Sequence, residues 1–130
     1  MREDELKTLL RNPLVSYGAH TVSHRGLARL AKADAESEIA RSIERVGRIT
    51  GEAPRSFAYP YGDDRSVSSR ERGMLKKLGI DIAVTTRPGT INPKHAPDMT
   101  ALPRISLNGL YQKARYVRAL ATGIPFKVMG

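Results

Sequence analysis

Cysteine and tryptophan are both absent from this 130-residue chain, and five tyrosines and two phenylalanines supply all its aromatic rings. Without cysteine there is no disulfide framework and no thiolate metal site, so a bound transition metal would have to rest on imidazole and carboxylate donors. Acidic residues are also outnumbered, 13 against 22 Lys and Arg, for a formal charge of +9 and a pI near 10.3. Such a balance suits acidic polymers or anionic surfaces. The basic residues are scattered, however, with no run longer than Lys76-Lys77, and rings for base stacking are few. The pattern reads as a solvated basic surface, and no nucleic-acid partner is expected. No apolar stretch is long enough to span a membrane, and the polar start Met1-Arg2-Glu3-Asp4-Glu5-Leu6 reads as a short helix, not a signal peptide. On that ground the expected compartment is cytoplasmic. The length suits a single domain over 1–130, well short of the roughly 250 residues of a complete (β/α)8 barrel.

What is present is an alternation of strand and helix without repeats. Leu14-Val15-Ser16-Tyr17 is a short apolar run that reads as a strand. Ala35, Ile39, Ile43, Val46 and Ile49 recur at spacings of three and four, which predicts an amphipathic helix over Lys32 to Thr50, closed by Gly51. Ser56-Phe57-Ala58-Tyr59 reads as a strand emptying into the turn Pro60-Tyr61-Gly62-Asp63-Asp64. A second helix follows from about Ser68 to Leu78, and Ile80, Ile82 and Val84 alternate as a strand to Thr86. Arg87 to Thr100 is a long loop, Leu102-Pro103-Arg104-Ile105 a short strand, and Asn108 caps a last helix whose Leu110, Ala114, Val117 and Ala121 share a face. Short connections between alternating strands and helices predict an α/β fold with a parallel sheet or an incomplete barrel.

In such an array, functional residues gather where strands end. His20, the Tyr59-Pro60-Tyr61-Gly62 turn, Thr85-Thr86 and Arg104 all fall at or just past predicted strand ends. His20 and His24 are four residues apart, a spacing at which two imidazoles share one divalent cation if the chain begins to coil at Thr21; two ordinary loop histidines are the alternative. The Tyr59–Gly62 segment is either a plain turn or part of the same site.

His20-Thr21-Val22-Ser23-His24 resembles the H-[ST]-x-x-H motif of the polysaccharide deacetylase family, the NodB homology domain of carbohydrate esterase family 4. Phe57-Ala58-Tyr59-Pro60-Tyr61-Gly62 is similar to that family's next motif, and Ala83–Gly89 and Leu102–Ile105 also resemble its members, so the likeness runs in order from about Leu6 to Leu110. The resemblance implies a (β/α)7-barrel-like fold and a metal-dependent hydrolase that removes acetyl groups from N-acetylated sugar polymers. It implies His20 and His24 as ligands of a divalent metal, zinc foremost, Tyr61 as the backbone N–H donor to the oxyanion, and Tyr59, Pro60 and Tyr61 as substrate contacts.

Two departures stand beside these matches. The family's first motif, an apolar strand ending in Thr-Phe-Asp-Asp-Gly, carries the catalytic base and a metal-ligand Asp, yet only nineteen residues precede His20 and Asp4 is their only Asp. The chain is thus expected to be a partial (β/α)7-barrel-like sheet lacking the first β/α units. The second departure is Ala58, where many relatives carry an Arg supporting the base. Arg104 is a substitute by position, which either binds a carboxylate or faces solvent. Asp63 and Asp64 read as a solvated turn in preference to replacement acids, and the Pro-rich setting of His95 does not match the family's later general-acid motif. Two neutral imidazoles without an anionic oxygen bind metal weakly, and without a base water attack is slow. The expected function is therefore an impaired deacetylase acting on acetylated polysaccharide; the alternative is a non-catalytic remnant binding acidic glycan through its basic surface. An unclosed array exposes a strand edge and an apolar face, which predicts a homo-oligomer, with exchange of the helix Glu3 to Leu10 one way to build it.

Overall fold

A computed structural model describes residues 2–107, 109 and 112–128. The first helix, α1 (Glu3–Leu9), carries Glu3, Asp4 and Glu5 in its first turn, where they oppose the positive end of the helix dipole. It is tied to the body by an ion pair between Glu3 and Arg45 and by the Tyr17 hydroxyl, which donates to the Leu6 carbonyl at 3.3 Å. The next long helix, α2 (Lys32–Thr50), occupies the span that its apolar spacing predicts. Ala35, Ile39 and Ser42 are buried along one stripe, and Gly51 at φ 86° closes it by donating to the Gly47 carbonyl at 2.8 Å. Helix α3 (Ser69–Lys77) starts at a capping box in which Ser68 and Glu71 satisfy each other's end of the first turn.

Strands β1 (Ser56–Ala58), β2 (Ile82–Pro88) and β3 (Leu102–Arg104) form a parallel sheet in the order β1-β2-β3. Phe57 lies opposite Ala83, and Val84 opposite Leu102. Parallel strands with intervening helices are the predicted α/β arrangement. Phe57, Ile39, Leu27, Leu75 and Ala83 are buried together where α2 and α3 meet the sheet. Beneath them, the fully buried Glu71 pairs with Arg70 at 2.5 Å, and the Arg70 guanidinium donates to the Leu27 and Leu30 carbonyls at 3.0 Å each. This locks the segment that follows the two histidines onto α3.

Three expectations are corrected. Leu14–Tyr17 is not a strand: the Asn12 side chain accepts the Leu14 N–H at 2.9 Å, the chain turns there, and Leu14 is left 91 % exposed. Only Ala19 bridges to the sheet, flanking Phe57. The strand expected from Ile80 begins at Ile82, because the Asp81 and Ile82 amides both donate to the Arg55 carbonyl, and the loop expected over Arg87–Thr100 contains two 3-10 turns, Pro93–His95 and Met99–Ala101. The final helical region is α4 (Ala114–Ala121) followed by α5 (Ile124–Val128), with α4 flanked by Lys113; Asn108 and Leu110, the expected cap and first apolar position, lie outside the described residues. Among the described residues no helix is long and apolar enough to cross a membrane.

Candidate metal centre and oxyanion turn

Ala19 fixes the first histidine. Its N–H donates to the Ser56 carbonyl at 2.9 Å and its carbonyl accepts from Ala58 N–H at 3.0 Å, so the next residue, His20, emerges at the C-terminal end of β1. There His20 Nδ1 lies 2.7 Å from the Ala58 carbonyl. A carbonyl only accepts, so this contact assigns the proton to Nδ1 and leaves the Nε2 lone pair free, the arrangement a metal-ligating imidazole uses.

His24 reaches the same place by a route the spacing did not foretell. The residues after His20 do not coil; Thr21 and His24 adopt left-handed backbone at φ 63° and 56°, and the His24 N–H donates to Thr21 Oγ1 at 3.1 Å. The two rings then stand edge to face with centroids 4.8 Å apart, and His24 meets the Tyr61 ring at 5.2 Å in the same way. Glu38 on α2 holds the loop between the histidines: its Oε2 accepts from the Val22 and Ser23 amides at 3.0 and 2.8 Å, and its Oε1 from the Ser23 hydroxyl at 2.8 Å. Desolvation pushes the Glu38 pKa up, but the Ser23 and Val22 hydrogen bonds outweigh it and hold the carboxyl below its ordinary value.

Tyr61 is the third positive-φ residue, at 62°, and the Gly62 N–H donates to the Pro60 carbonyl at 2.7 Å across it, which makes the segment a γ-turn of the strained kind. Thr86 at the end of β2 braces the turn, its hydroxyl donating to the Tyr61 carbonyl at 2.5 Å and its amide to the Gly62 carbonyl at 3.0 Å. Only glycine fits at 62, since a Cβ would stand 2.6 Å from the Thr86 nitrogen. The Tyr61 N–H has no acceptor among the described residues. Among those residues, Thr21, His24 and Tyr61 are the only non-glycine positions with positive φ, and all three meet here. Such conformations cost on the order of 1 kcal/mol or more each and persist where surrounding contacts over-determine them, characteristically at functional sites.

The other candidates fall apart from this cluster. Tyr59 and Pro60 are buried; Tyr59 packs edge to face on Phe57 and its hydroxyl donates to the Thr100 carbonyl at 2.8 Å, so Tyr61 alone of the three expected substrate contacts presents its side chain at the surface. Burial pushes the Tyr59 pKa well up. The Arg104 side chain is exposed at the end of β3 and has no hydrogen bond or ion pair with any described residue, so it binds no carboxylate within them. Asp63 accepts from Ser66 and the Arg65 amide, chiefly the Ser66 side chain, which lowers its pKa and makes it a poor proton acceptor near neutrality. Asp64 pairs with Arg87 at 3.7 Å, and His95 takes the Asn92 N–H at 3.1 Å as a local cap. Among the described residues no three His, Asp or Glu side chains converge as a metal cage. What the structure brings together is two adjacent imidazoles, one of them oriented by a carbonyl.

Sequence reasoning placed Thr86 at a strand end without giving it a role, and passed over Glu38. Glu38 did leave a signal, an acid three positions after Ala35 on the flank of the α2 apolar stripe.

A parallel α/β sheet with a two-histidine loop and a strained aromatic turn at its C-terminal edge defines the class. The sequence profile of the polysaccharide deacetylase family matches residues 1–83, and the chain belongs to that family. Among solved structures it is similar to a Streptococcus pyogenes deacetylase determined with acetate, at 18 % identity and a TM-score of 0.81, covering 92 % of this chain and 50 % of that one. It is also similar to polysaccharide deacetylases of Bacillus cereus and Bacillus anthracis, the latter described as putative, each at 22 % identity, with TM-scores of 0.79 and 0.74. These cover 93 % and 95 % of this chain and 36 % of each of theirs, so the chain spans half the length of these relatives or less. Comparison with curated protein sequences gave no match.

Proposed function

We propose that residues 1–130 act as one domain and form part of a metal-dependent deacetylase centre for N-acetylated sugars, with His20 and His24 as ligands of a divalent cation, zinc foremost. The observation that carries this reading is the convergence of His20, His24 and Tyr61, held by three strained backbone positions. A divalent ion there supplies Lewis-acid polarisation of the acetyl carbonyl. His20 orients its Nε2 by donating from Nδ1 to the Ala58 carbonyl. As water adds to the amide carbon, the Tyr61 N–H donates to the oxygen that becomes negative, a contribution of about 10²- to 10³-fold where such donors have been removed. The C–N bond then breaks to give acetate and a free amine on the sugar. The exposed Tyr61 ring offers an apolar face to the sugar beside that oxygen.

Among the described residues no carboxylate joins the two imidazoles to take the proton from water, so the reading includes impairment: hydrolysis of an N-acetylated chito-oligosaccharide by this chain is slow and metal-dependent. It also includes self-association, since Leu14 and Val22 are exposed on either side of the bridging Ala19. The test measures zinc uptake, acetate release and scattering mass on one preparation. Uptake lost in His20→Ala and His24→Ala, feeble zinc-dependent acetate release and a mass above 14.3 kDa are expected. Fast turnover without added metal would overturn the reading.

A further inference from the structure

We infer that Glu38 is a positioning residue that sets the approach of His20 and His24 by clamping the loop between them to α2; the inference rests on the two-histidine reading above. The loop has only Val22 and Ser23 between its two left-handed ends, Thr21 and His24. Both of those intervening amides, and the Ser23 hydroxyl, donate to the one carboxylate, which comes from a helix fifteen to sixteen residues away. One side chain thus satisfies all three donors, and the loop retains a single local support, from the His24 amide to Thr21 Oγ1.

The site of attachment is anchored in the core. Glu38 lies between Ala35 and Ile39, both without measurable exposure, so its backbone is held by the core. The carboxylate makes no hydrogen bond to either imidazole; its three donors belong to Val22 and Ser23, and it acts on the rings through the backbone between them. Two strained residues flank the clamp, and releasing it lets Thr21 and His24 relax toward ordinary backbone, which turns the His24 ring away from His20. Groups hydrogen-bonded directly to a ligand alter metal affinity by about 10- to 100-fold, and a loop that turns a whole imidazole out of place is expected to cost as much.

The experiment uses the whole chain with zinc alone as the probe. Zinc affinity is measured by calorimetry for wild type, Glu38→Ala and Glu38→Gln, and amide hydrogen exchange at Val22 and Ser23 is followed without metal. The amide oxygen of Gln accepts the two backbone N–H groups, whereas Ala accepts nothing. Expected are zinc binding weakened by about 10- to 100-fold in Glu38→Ala, recovery to within about threefold in Glu38→Gln, and faster exchange at Val22 and Ser23 in the Ala variant only. Exchange at Phe57 in β1 checks that the fold is intact. Equal zinc affinity in wild type and Glu38→Ala overturns the inference. A wild type that takes up no zinc instead removes the two-histidine reading beneath it, a result told apart by the wild-type titration itself.

Discussion

Two strand ends on the same edge of the sheet are built very differently. At the end of β1, His20 is tied to Ala58, the following loop to Glu38, and the Tyr61 turn to Thr86, so each chemical group has a backbone or side-chain brace. At the end of β3, the Arg104 side chain stands exposed and free of partners among the described residues. Both positions were candidates by sequence. The difference teaches that position at a strand end nominates a residue, whereas bracing separates a pre-organised group from a solvated charge.

The largest expected effect strikes the scaffold under the braced end. Glu71→Ala removes the buried partner of Arg70 and the acid that completes the Ser68 capping box of α3, leaving a half-buried charge facing the Leu27 and Leu30 carbonyls. A loss of about 3 kcal/mol or more is expected by urea unfolding, and the His20–His24 loop should lose its exchange protection with it. Survival with under about 1 kcal/mol lost would show that the loop stands without this support.

Gly62→Ala comes next. It places a Cβ against the Thr86 amide and a side chain at φ 64°, for an expected cost of about 2 kcal/mol, with the exchange of the Tyr61–Thr86 region accelerated and any acetate release abolished. Unchanged stability would mean that the turn flexes and that Tyr61 is not held in place.

Acid offers a third way in. Asp98 caps the Met99–Ala101 turn and pairs with Arg72 and Lys76; desolvation raises its pKa, but the Thr100 and Arg72 hydrogen bonds bring it well below the ordinary value. A carboxylate with a lowered folded-state pKa stabilises the fold above its unfolded pKa, about 3.9 for Asp, and this contribution disappears as the pH falls through the folded value. Glu71 and Glu38 are shifted in the same direction. The Tm should therefore drop as the pH goes below about 4, less steeply in Asp98→Asn.

The smallest effect belongs to the unbraced end. Arg104→Ala should change stability by less than about 0.5 kcal/mol and leave zinc affinity unaltered; a marked loss of zinc affinity would place Arg104 in the site after all.

The legibility of the sequence follows the same division. Local signals were sufficient for α2, where the apolar spacing and Gly51 marked Lys32 and Thr50, and for the Ser68 start of α3. They failed at Leu14–Tyr17, whose apolar composition suggested a strand although the Asn12 side chain turns the chain away. At the site the identities of His20, His24 and Tyr61 were readable, but their means of convergence was not. The i, i+4 spacing suggested coiling, whereas left-handed backbone at Thr21 and His24 brings the rings together, and such conformations depend on contacts from elsewhere. For that loop they come from Glu38, and for the Tyr61 turn from Thr86, both remote in sequence and of ordinary residue types. Tyr59 carried the opposite lesson: it sits in the motif, yet its ring belongs to the core.

The central claim is that the braced end of the sheet holds a divalent cation between His20 and His24. Anomalous diffraction at the zinc edge from crystals soaked in zinc tests it most directly. The account predicts a peak within about 2.0–2.1 Å of His20 Nε2 and of a His24 ring nitrogen, absent in His20→Ala crystals. Saturating zinc with no peak between the two rings, or a peak that survives in His20→Ala, would contradict it.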